Sequence, residues 1–516
     1  MTAPSARGGR TRGALTLERL RQGGEAFSEA VSREYYLSGA GHKATAALQP
    51  IYDEHRQVLG RDALELTVGM LKDAAPGSDE ERSARTLAEW QAETQASREL
   101  AGHDEREIAW EASAVLRLDD GRTLPYQSAS IEMANAGDRA ERLTIERARA
   151  ALVGAELAPL KRDRLQRERE LTESLDLAAG YNATFERLSG VPLLALRDEC
   201  AAFLRDTQAM WDDVYAEFVR RGLGIDPAEA TRADALALLR AREFDPYFPA
   251  ADMEPAIRRQ VAEMGIDPVA GGRITFDTGD REGKRSRAFC SPVRVPDEVY
   301  LVLRPHGGQT DWTTFLHELG HALHFAYMRP SLPFEYRWLG DNSITEGYAM
   351  LFDHLSQNAL WLARYTGLGR ARVPGFRRAA AFEELHFLRR YCAKLIYEVE
   401  LYDGGTSWAS LPDLYVTTLS GATTFRYSPA DAFVDVDPRF YSTRYLRAWQ
   451  LQALLAETLT ERFNEDWFRN PAAGPWVVGE LLGEGQRELA PELAERVAGR
   501  GLSFAPLVRA IEGMLA

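Results

Sequence analysis

Apolar residues recur at spacings of three and four along most of the chain before residue 245, which is the pattern of amphipathic helices. Two stretches, residues 78–101 and 160–179, contain neither glycine nor proline and predict long helices. Glycines and prolines elsewhere divide the region into separate helical segments. One pair, Asp120-Gly121, lies between short apolar alternations and predicts the turn of a small β-hairpin.

The pattern changes near residue 245, where prolines and glycines interrupt the helical periodicity. Residues 273–276 and 298–304 are short runs rich in β-branched and aromatic residues, and both predict strands. Helical periodicity returns at residues 311–327, with Thr310 or Asp311 placed to cap the first turn. The rest of the chain again predicts helices. We therefore expect a mainly α-helical protein with a small sheet.

The change of pattern divides the chain into a disordered tail at residues 1–14, a helical lobe at 15–245 and a catalytic lobe at 246–516. The tail lacks the apolar segment of a secretory signal, and no apolar run reaches the roughly 18 residues of a membrane span. The three cysteines are far apart and lack metal-ligand spacing, which fits a cytoplasmic location. The net charge of −15 argues against nucleic acid as a partner, because phosphate binding needs a basic surface.

The strongest chemical signal is the sequence His-Glu-Leu-Gly-His at residues 317–321. His317 and His321 are four residues apart, close to one helical turn, so both imidazoles project from the same side and can bind one ion. Glu318 lies about 100° round the helix, where its carboxylate can take a proton from an attacking water without binding the ion. Gly320 permits close packing beside the site. The alternative is a chance match on a structural helix.

A catalytic zinc site takes three protein ligands and one water, so a third ligand is needed. Metzincins have a glycine and a histidine at the positions that His324 and Tyr327 occupy here, which excludes that class. Glu346 follows His321 by 25 residues, a separation that allows a loop and a returning helix. We therefore predict one Zn²⁺ per chain, bound by His317, His321 and Glu346.

Residues 283–289 (Gly-Lys-Arg-Ser-Arg-Ala-Phe), the strand that follows and residues 315–324 resemble the thimet oligopeptidase and oligoendopeptidase F family of zinc metallopeptidases, of gluzincin type. The angiotensin-converting enzyme group is similar in the same elements and more distant. The resemblance implies a mainly α-helical, two-lobed zincin fold with a deep cleft and a small β-sheet beside the His-Glu-Leu-Gly-His helix. It also implies action on short peptides, with the strand at 298–304 as the sheet edge that pairs with an extended substrate.

The same resemblance implies tyrosines late in the chain that donate to the oxyanion. Residues 440–449 look like the family's tyrosine-bearing helix, in which Tyr445 is the best match and Tyr441 lies one turn earlier. The alternative for each is a partly buried tyrosine with a structural hydrogen bond. Relatives in the family carry a histidine shortly before this tyrosine, whereas this chain has none after His386. Asp353, seven residues after Glu346, is either a solvated helix carboxylate or a group that orients a zinc-binding histidine.

The sequence therefore predicts a zinc metallopeptidase that hydrolyses internal bonds of short peptides. A zinc carboxypeptidase or peptidyl dipeptidase on the same fold is an alternative, and it needs a cation for the free carboxylate of the substrate, such as Arg444, Arg447 or Lys284. A peptide-binding protein without turnover is a hypothesis of another class. No nucleic-acid or membrane partner is expected, and the oligomeric state and subsite preferences stay open.

Overall fold

The computed structural model describes residues 15–516, so the disordered tail predicted for residues 1–14 lies outside the described residues. Helices dominate the first half of the described chain, as the periodicity predicts. They are α1 (Leu17–Gly39), α2 (Leu48–Glu54), α3 (Arg61–Asp73), α4 (Asp79–Ser113), α5 (Ala129–Asn135), α6 (Arg139–Leu152), α7 (Ala158–Glu173), α8 (Gly180–Ser189), α9 (Leu193–Asp206), α10 (Gln208–Leu223), α11 (Arg232–Leu238) and α12 (Ala250–Glu263).

The predicted hairpin is present between α4 and α5. Strands β1 (Val115–Arg117) and β2 (Thr123–Pro125) pair antiparallel. Gly121 has φ 87°, a left-handed conformation that glycine adopts without steric cost. The prediction of a turn at Asp120-Gly121 is therefore confirmed.

A second sheet has three strands, β3 (Ile274–Asp277), β4 (Phe289–Arg294) and β5 (Glu298–Val302), in the order β3-β5-β4. Strand β5 is parallel to β3 and antiparallel to β4, so it is the central strand. The prediction that residues 298–304 form the sheet edge is therefore wrong. The periodicity did not reveal β4 because Pro292 interrupts it, and a proline is tolerated in an edge strand since its missing N–H can face outward.

The second half of the chain is again helical. Its helices are α13 (Gln309–Tyr327), α14 (Phe334–Trp338), α15 (Asn342–Asp353), α16 (Ala359–Tyr365), α17 (Val373–Asp403), α18 (Leu411–Thr423), α19 (Ser442–Phe463), α20 (Ala473–Trp476), α21 (Ala490–Ala498) and α22 (Ala505–Leu515). Helix α13 packs against β4 and β5, which confirms the prediction of a small sheet beside this helix.

Helix α13 begins earlier than predicted. Gly308 occupies the capping position, and neither Thr310 nor Asp311 caps the helix. The Asp311 carboxylate instead accepts hydrogen bonds from His306 N (2.8 Å) and Gly307 N (2.9 Å) and so fixes the preceding loop. The first-turn amide of Gln309 donates to a carboxylate from outside the helix, which local sequence does not reveal.

Two large hydrophobic cores hold the helices together. The first combines α9, α10, α17, α18 and α22, and the second combines α12, the three-stranded sheet, α13, α15 and α16. Helix α19 packs into both, with Leu446 in the first core and Leu451 in the second. The first core joins residues from both sides of the predicted boundary at 245, and the division into lobes there stays a prediction. Within residues 15–516, no helix is both long and apolar enough to span a membrane.

Candidate metal centre

The structure brings together the three predicted metal ligands. One ligand atom each from His317, His321 and Glu346 lies within 4.8 Å of the others. The two Nε2 atoms are 3.2 Å apart, and Glu346 Oε2 lies 3.4 Å from His317 Nε2 and 3.8 Å from His321 Nε2. Glu346 Oε2 is buried and has no hydrogen-bond partner in the described part of the chain. Two imidazole nitrogens and one carboxylate oxygen match the donor set of a catalytic zinc site.

Close packing of α13 against α15 creates this geometry. A Cβ atom added at Gly320 would lie 2.6 Å from Ala349 Cα and 2.9 Å from Tyr348 O. Both contacts are with backbone, which cannot rotate away as a side chain can. Gly320 therefore lets α13 approach α15 closely enough for a carboxylate of α15 to face both histidines of α13, as its position in the motif indicates.

Each histidine is oriented by a hydrogen bond on its other ring nitrogen. His317 Nδ1 lies 2.9 Å from Asp353 Oδ2, which is the contact that an orienting role of Asp353 requires. His321 Nδ1 lies 2.8 Å from Thr345 Oγ1, and sequence reasoning missed this partner although it directly precedes Glu346. Such outer partners fix the ring orientation and tautomer, leaving Nε2 for an ion.

Burial and neighbouring charges set the protonation of the three predicted ligands. Burial lowers the pKa of His321 to about 4, so this ring is neutral at pH 7. Burial also opposes the charge on His317, but hydrogen bonds to Asp353 and Glu346 raise its pKa to about 10. Burial opposes the charge on Glu346 as well, yet the two histidines hold its pKa below the ordinary value. An ion that binds here therefore displaces a proton from His317.

Glu318 lies beside this cluster and is anchored by the sheet. Its Oε2 accepts a hydrogen bond from Cys290 N of β4 at 2.7 Å. Burial raises the pKa of the Glu318 carboxyl above its ordinary value, which moves a carboxylate towards the range useful for a general base. The anchor at Cys290 was not predicted, because it depends on the edge strand that the sequence pattern concealed.

The two tyrosines line the site from α19 and from the residue before it. Tyr441 Oη donates to Glu346 Oε1 at 3.2 Å. Tyr445 is partly buried, and its ring lies edge-on to Tyr441 and to Tyr391, with centroids 5.2 and 5.7 Å apart. Burial and the Glu346 charge raise the pKa of Tyr445, so its hydroxyl keeps its proton at neutral pH and is available as a donor.

Arg444 fixes the start of α19 to the start of α15. Its guanidinium donates to Asp341 Oδ1 (2.8 Å) and to Glu89 Oε1 (2.7 Å). Asp341 also caps α15 by accepting from Ser343 N at 2.9 Å. The same carboxylate therefore positions the helix that carries Glu346 and the helix that carries Tyr445.

The cations suggested for a substrate carboxylate are all paired within the protein. Arg444 is held as described, Arg447 donates to Glu199 at 2.9 Å, and Lys284 lies 3.1 Å from Asp277 Oδ1. All three side chains are buried. Binding a substrate carboxylate at any of them would first require breaking an internal ion pair.

His324 lies one helical turn beyond His321 on α13. It is fully buried and lies in the core beside Tyr348, with ring centroids 4.9 Å apart. Burial lowers its pKa to about 3, so the ring is neutral. It is not part of the three-residue cluster.

Comparison with known proteins identifies a shared fold. No protein-family model and no curated protein matches the sequence. Among solved structures, the chain is similar to the M32 carboxypeptidase from Deinococcus radiodurans R1, with a TM-score of 0.62 and 14% sequence identity. The match covers 96% of this chain and 98% of that chain. The mainly helical fold predicted from the sequence is thereby confirmed over nearly the whole length of both proteins.

Proposed function

We propose that this protein is a zinc-dependent metallopeptidase that hydrolyses internal bonds of short peptides. The observation that carries the proposal is the clustering of His317, His321 and Glu346 within 4.8 Å, with the partly buried Glu318 carboxylate beside them. The structurally similar protein is a carboxypeptidase, which supports peptide-bond hydrolysis on this fold. The substrate class follows from the resemblance of residues 283–289 and 315–324 to enzymes that cleave short peptides.

The residues present fit a zinc ion. His317, His321 and Glu346 would hold it, and the buried Glu346 Oε2 without a partner would gain one. When bound, zinc would polarise the substrate carbonyl and lower the pKa of water. Asp353 and Thr345 would keep the two imidazole rings aligned as the ion enters and leaves.

The chain's own residues account for the proton transfers of hydrolysis. The Glu318 carboxylate takes a proton from the attacking water and delivers it to the leaving amine nitrogen. The hydrogen bond from Cys290 N keeps that carboxylate in place. The Tyr445 hydroxyl donates to the carbonyl oxygen as negative charge develops on it. Tyr441 holds Glu346 by a hydrogen bond and lies next to Tyr445, so it stays a second candidate donor.

Metal analysis and a Glu318→Gln variant test the proposal together. Protein purified without added zinc should carry about one zinc per chain, the stoichiometry of a single three-ligand site. Glu318→Gln should keep the zinc while hydrolysis of short peptides falls by a factor on the order of 10²–10⁴. Glu105→Gln, on the exposed side of α4, is the matched control and should behave as wild type.

Three results would contradict the proposal. Another metal, or none, would remove the zinc assignment. A Glu318→Gln rate equal to wild type would remove Glu318 as the general base. Peptide binding by zinc-loaded wild type without any cleavage would favour the hypothesis of a peptide-binding protein.

A zinc carboxypeptidase is the second candidate, favoured by the end-to-end similarity to the M32 carboxypeptidase. Arg287 is an exposed cation, and its charge partly opposes the burial that raises the pKa of Glu318 and of Tyr445, so it lies near the reacting groups. If the protein is a carboxypeptidase, Arg287 would bind the C-terminal carboxylate of the substrate. Amidating the C-terminus of a test peptide separates the two functions, because cleavage that survives amidation excludes an obligate carboxypeptidase.

A further inference from the structure

His354 joins two carboxylates at the C-terminal end of α15. Its Nδ1 lies 2.5 Å from Asp353 Oδ1, and its Nε2 lies 3.0 Å from Glu384 Oε1 on α17. The three side chains are only 10–19% exposed. Asp353 contacts the predicted ligand His317 through its other oxygen. A chain of hydrogen bonds therefore runs from α17 through His354 and Asp353 to the metal centre.

The contacts of His354 fix its protonation. A carboxylate only accepts hydrogen bonds, so a ring nitrogen that faces one must donate. Both nitrogens of His354 face carboxylate oxygens, and the ring is therefore an imidazolium cation. Burial opposes this charge, but the Glu384 and Asp353 carboxylates raise the pKa of His354 well above its ordinary value. Hydrogen bonds between such charged groups are roughly twice as strong as neutral ones.

Glu384 is itself held on both of its oxygens. Oε1 accepts from His354, and Oε2 accepts from Gln357 Nε2 at 3.0 Å. The Gln357 carbonyl oxygen in turn accepts from Arg377 Nε of α17 at 3.0 Å. Glu384 is thereby fixed both to its own helix and to the segment that follows α15. It can therefore keep the His354 ring in one orientation.

Asp353 needs this support because a carboxylate group turns readily about its last bond. Its Oδ2 lies 2.9 Å from His317 Nδ1, and within residues 15–516 its Oδ1 accepts a hydrogen bond from His354 alone. Without that bond, Oδ1 would lose its partner in a largely buried site, and the group would be free to turn away from His317. The bond to His354 therefore keeps Oδ2 directed at the His317 ring.

His354 also has a role at the end of its helix. It occupies the C-cap position of α15, where a cation interacts favourably with the helix dipole, and its Nδ1 lies 2.8 Å from Met350 O. These contacts stabilise the helix end whether or not a metal is bound. A test of His354 must therefore separate a loss of fold stability from a loss of orientation at His317.

We propose that His354 and Glu384 are positioning residues of the metal centre, which act on His317 through Asp353. The inference rests on the proposed function because it takes His317 as a zinc ligand. An imidazolium and a carboxylate together add no net charge near a bound cation. Their contribution is to hold Asp353, and through it His317 Nε2, in the direction that an ion requires.

The test compares two neutral substitutions of His354 that differ in one donor. Asparagine carries its amide nitrogen as many bonds from the backbone as Nδ1, so His354→Asn can still donate to Asp353, whereas His354→Leu cannot. Chelator competition should show about fivefold weaker zinc binding by His354→Leu, somewhat less than the loss of a direct partner of a ligand, and binding near wild type by His354→Asn. His306→Leu, an exposed change before α13, is the control and should bind zinc as wild type.

A double-mutant cycle shows whether the effect passes through Asp353. His354→Leu should cost about fivefold in zinc affinity in wild type and almost nothing in Asp353→Asn, because changes that remove the same contact do not add. Glu384→Gln should weaken zinc binding in the same direction and should also lose its effect in Asp353→Asn. The visible spectrum of cobalt(II) bound in place of zinc reports ligand geometry, and it should change in His354→Leu but not in His354→Asn.

Three results overturn the inference: zinc affinity of His354→Leu equal to wild type, equal losses in His354→Leu and His354→Asn, or a full fivefold loss in the Asp353→Asn background. A purely structural role would lower the unfolding midpoint of His354→Leu and leave the cobalt spectrum unchanged, which also overturns it. Zinc binding by wild type without peptide hydrolysis would overturn the proposed function alone. Absence of zinc and cobalt binding by wild type would overturn both.

Discussion

The metal-binding helices and the tyrosine-bearing helix face the same site but are held by different kinds of contact. Helices α13 and α15 meet backbone to backbone at Gly320, where a Cβ would meet Ala349 and the Tyr348 carbonyl. The start of α19 is held by buried polar contacts, among them Arg444 to Asp341 and Ser442 Oγ to Glu398 at 2.8 Å. The turn before it is strained, since Phe440 has a φ of 50°.

We call α13 and α15 the metal wall of the site and the start of α19 its tyrosine wall. The difference in their contacts predicts how each wall responds to a substitution or to pH. Dispersion contacts and backbone approach act over short distances, so a single added methyl group disturbs the metal ligands. Ion pairs respond to charge and pH, so a change at Glu89, which contacts Arg444 and not α15, should act on the tyrosines while leaving the proposed ligands in place. The two walls can therefore be perturbed separately, and five variants test that separation.

Gly320→Ala should have the largest effect. The new Cβ would lie 2.6 Å from Ala349 Cα, so α13 and α15 must separate. We expect a loss of about 3 kcal/mol in the free energy of unfolding, the upper range for overpacked cores, together with reduced zinc content. Urea denaturation and metal analysis measure the two effects.

The control for this variant is Gly421→Ala in α18, where a Cβ meets no atom within 4 Å. Alanine has the higher helix propensity, so this change should stabilise the protein by up to about 1 kcal/mol. Equal stability of Gly320→Ala and wild type would show that backbone approach does not hold the metal wall.

Tyr445→Phe should lower kcat about a hundredfold, the effect of removing one oxyanion donor, while zinc content stays at the wild-type level. Tyr441→Phe removes a hydrogen bond to the ligand Glu346 and should act mainly on zinc affinity. Steady-state kinetics and metal titration of both variants separate the roles. The opposite pattern would assign the oxyanion to Tyr441.

Local spacing allowed the metal wall to be predicted. His317 and His321 follow from the helical repeat, and Glu346 from the loop and helix that return to it. Thr345 and Cys290, which hold His321 and Glu318, were not predicted, because their roles appear only when α15 and β4 are in place. The spacing of apolar residues identifies which segment is a helix. It does not identify the polar groups that the side chains of that helix contact.

The tyrosine wall was predicted from family resemblance, and its supports were not predicted at all. Arg444 pairs with Glu89, which lies 355 positions earlier in the chain. The order of the three-stranded sheet was missed for a related reason, since the pairing of β5 on both sides depends on a strand that Pro292 disguises. Contacts between distant segments have no periodic signature in either case.

Asp353→Asn should weaken zinc binding by about tenfold, because the amide is a poorer partner for His317 Nδ1 than the carboxylate. The control is Asp403→Asn, an exposed change at the end of α17. Competition with a chelator measures the affinity of both variants. An affinity equal to that of wild type would mean that packing alone orients His317 and that the metal wall does not depend on this charge.

The smallest predicted effect is a pH dependence of the free energy of unfolding. It arises at Glu89, the partner of Arg444 at the start of α19. Burial raises the pKa of Glu89 from 4.5 to about 7, and the nearby Glu93 and Asp341 carboxylates oppose the lowering effect of Arg444. The folded state therefore holds a proton on Glu89 that the unfolded state releases above about pH 4.5. This contribution is present in full below about pH 4.5 and is lost as pH rises to about 7, so stability should fall mainly between pH 4.5 and pH 7.

Because Glu89 is one-fifth exposed, we expect a loss of about 1 kcal/mol over that interval. Glu89→Gln has no proton to lose and should show a flatter pH profile of the unfolding midpoint, whereas Glu105→Gln should keep the wild-type slope. Identical slopes for Glu89→Gln and wild type would contradict this account. Glu89 would then stay ionised beside Arg444 throughout this pH range, and the ion pair between α4 and α19 would not respond to pH.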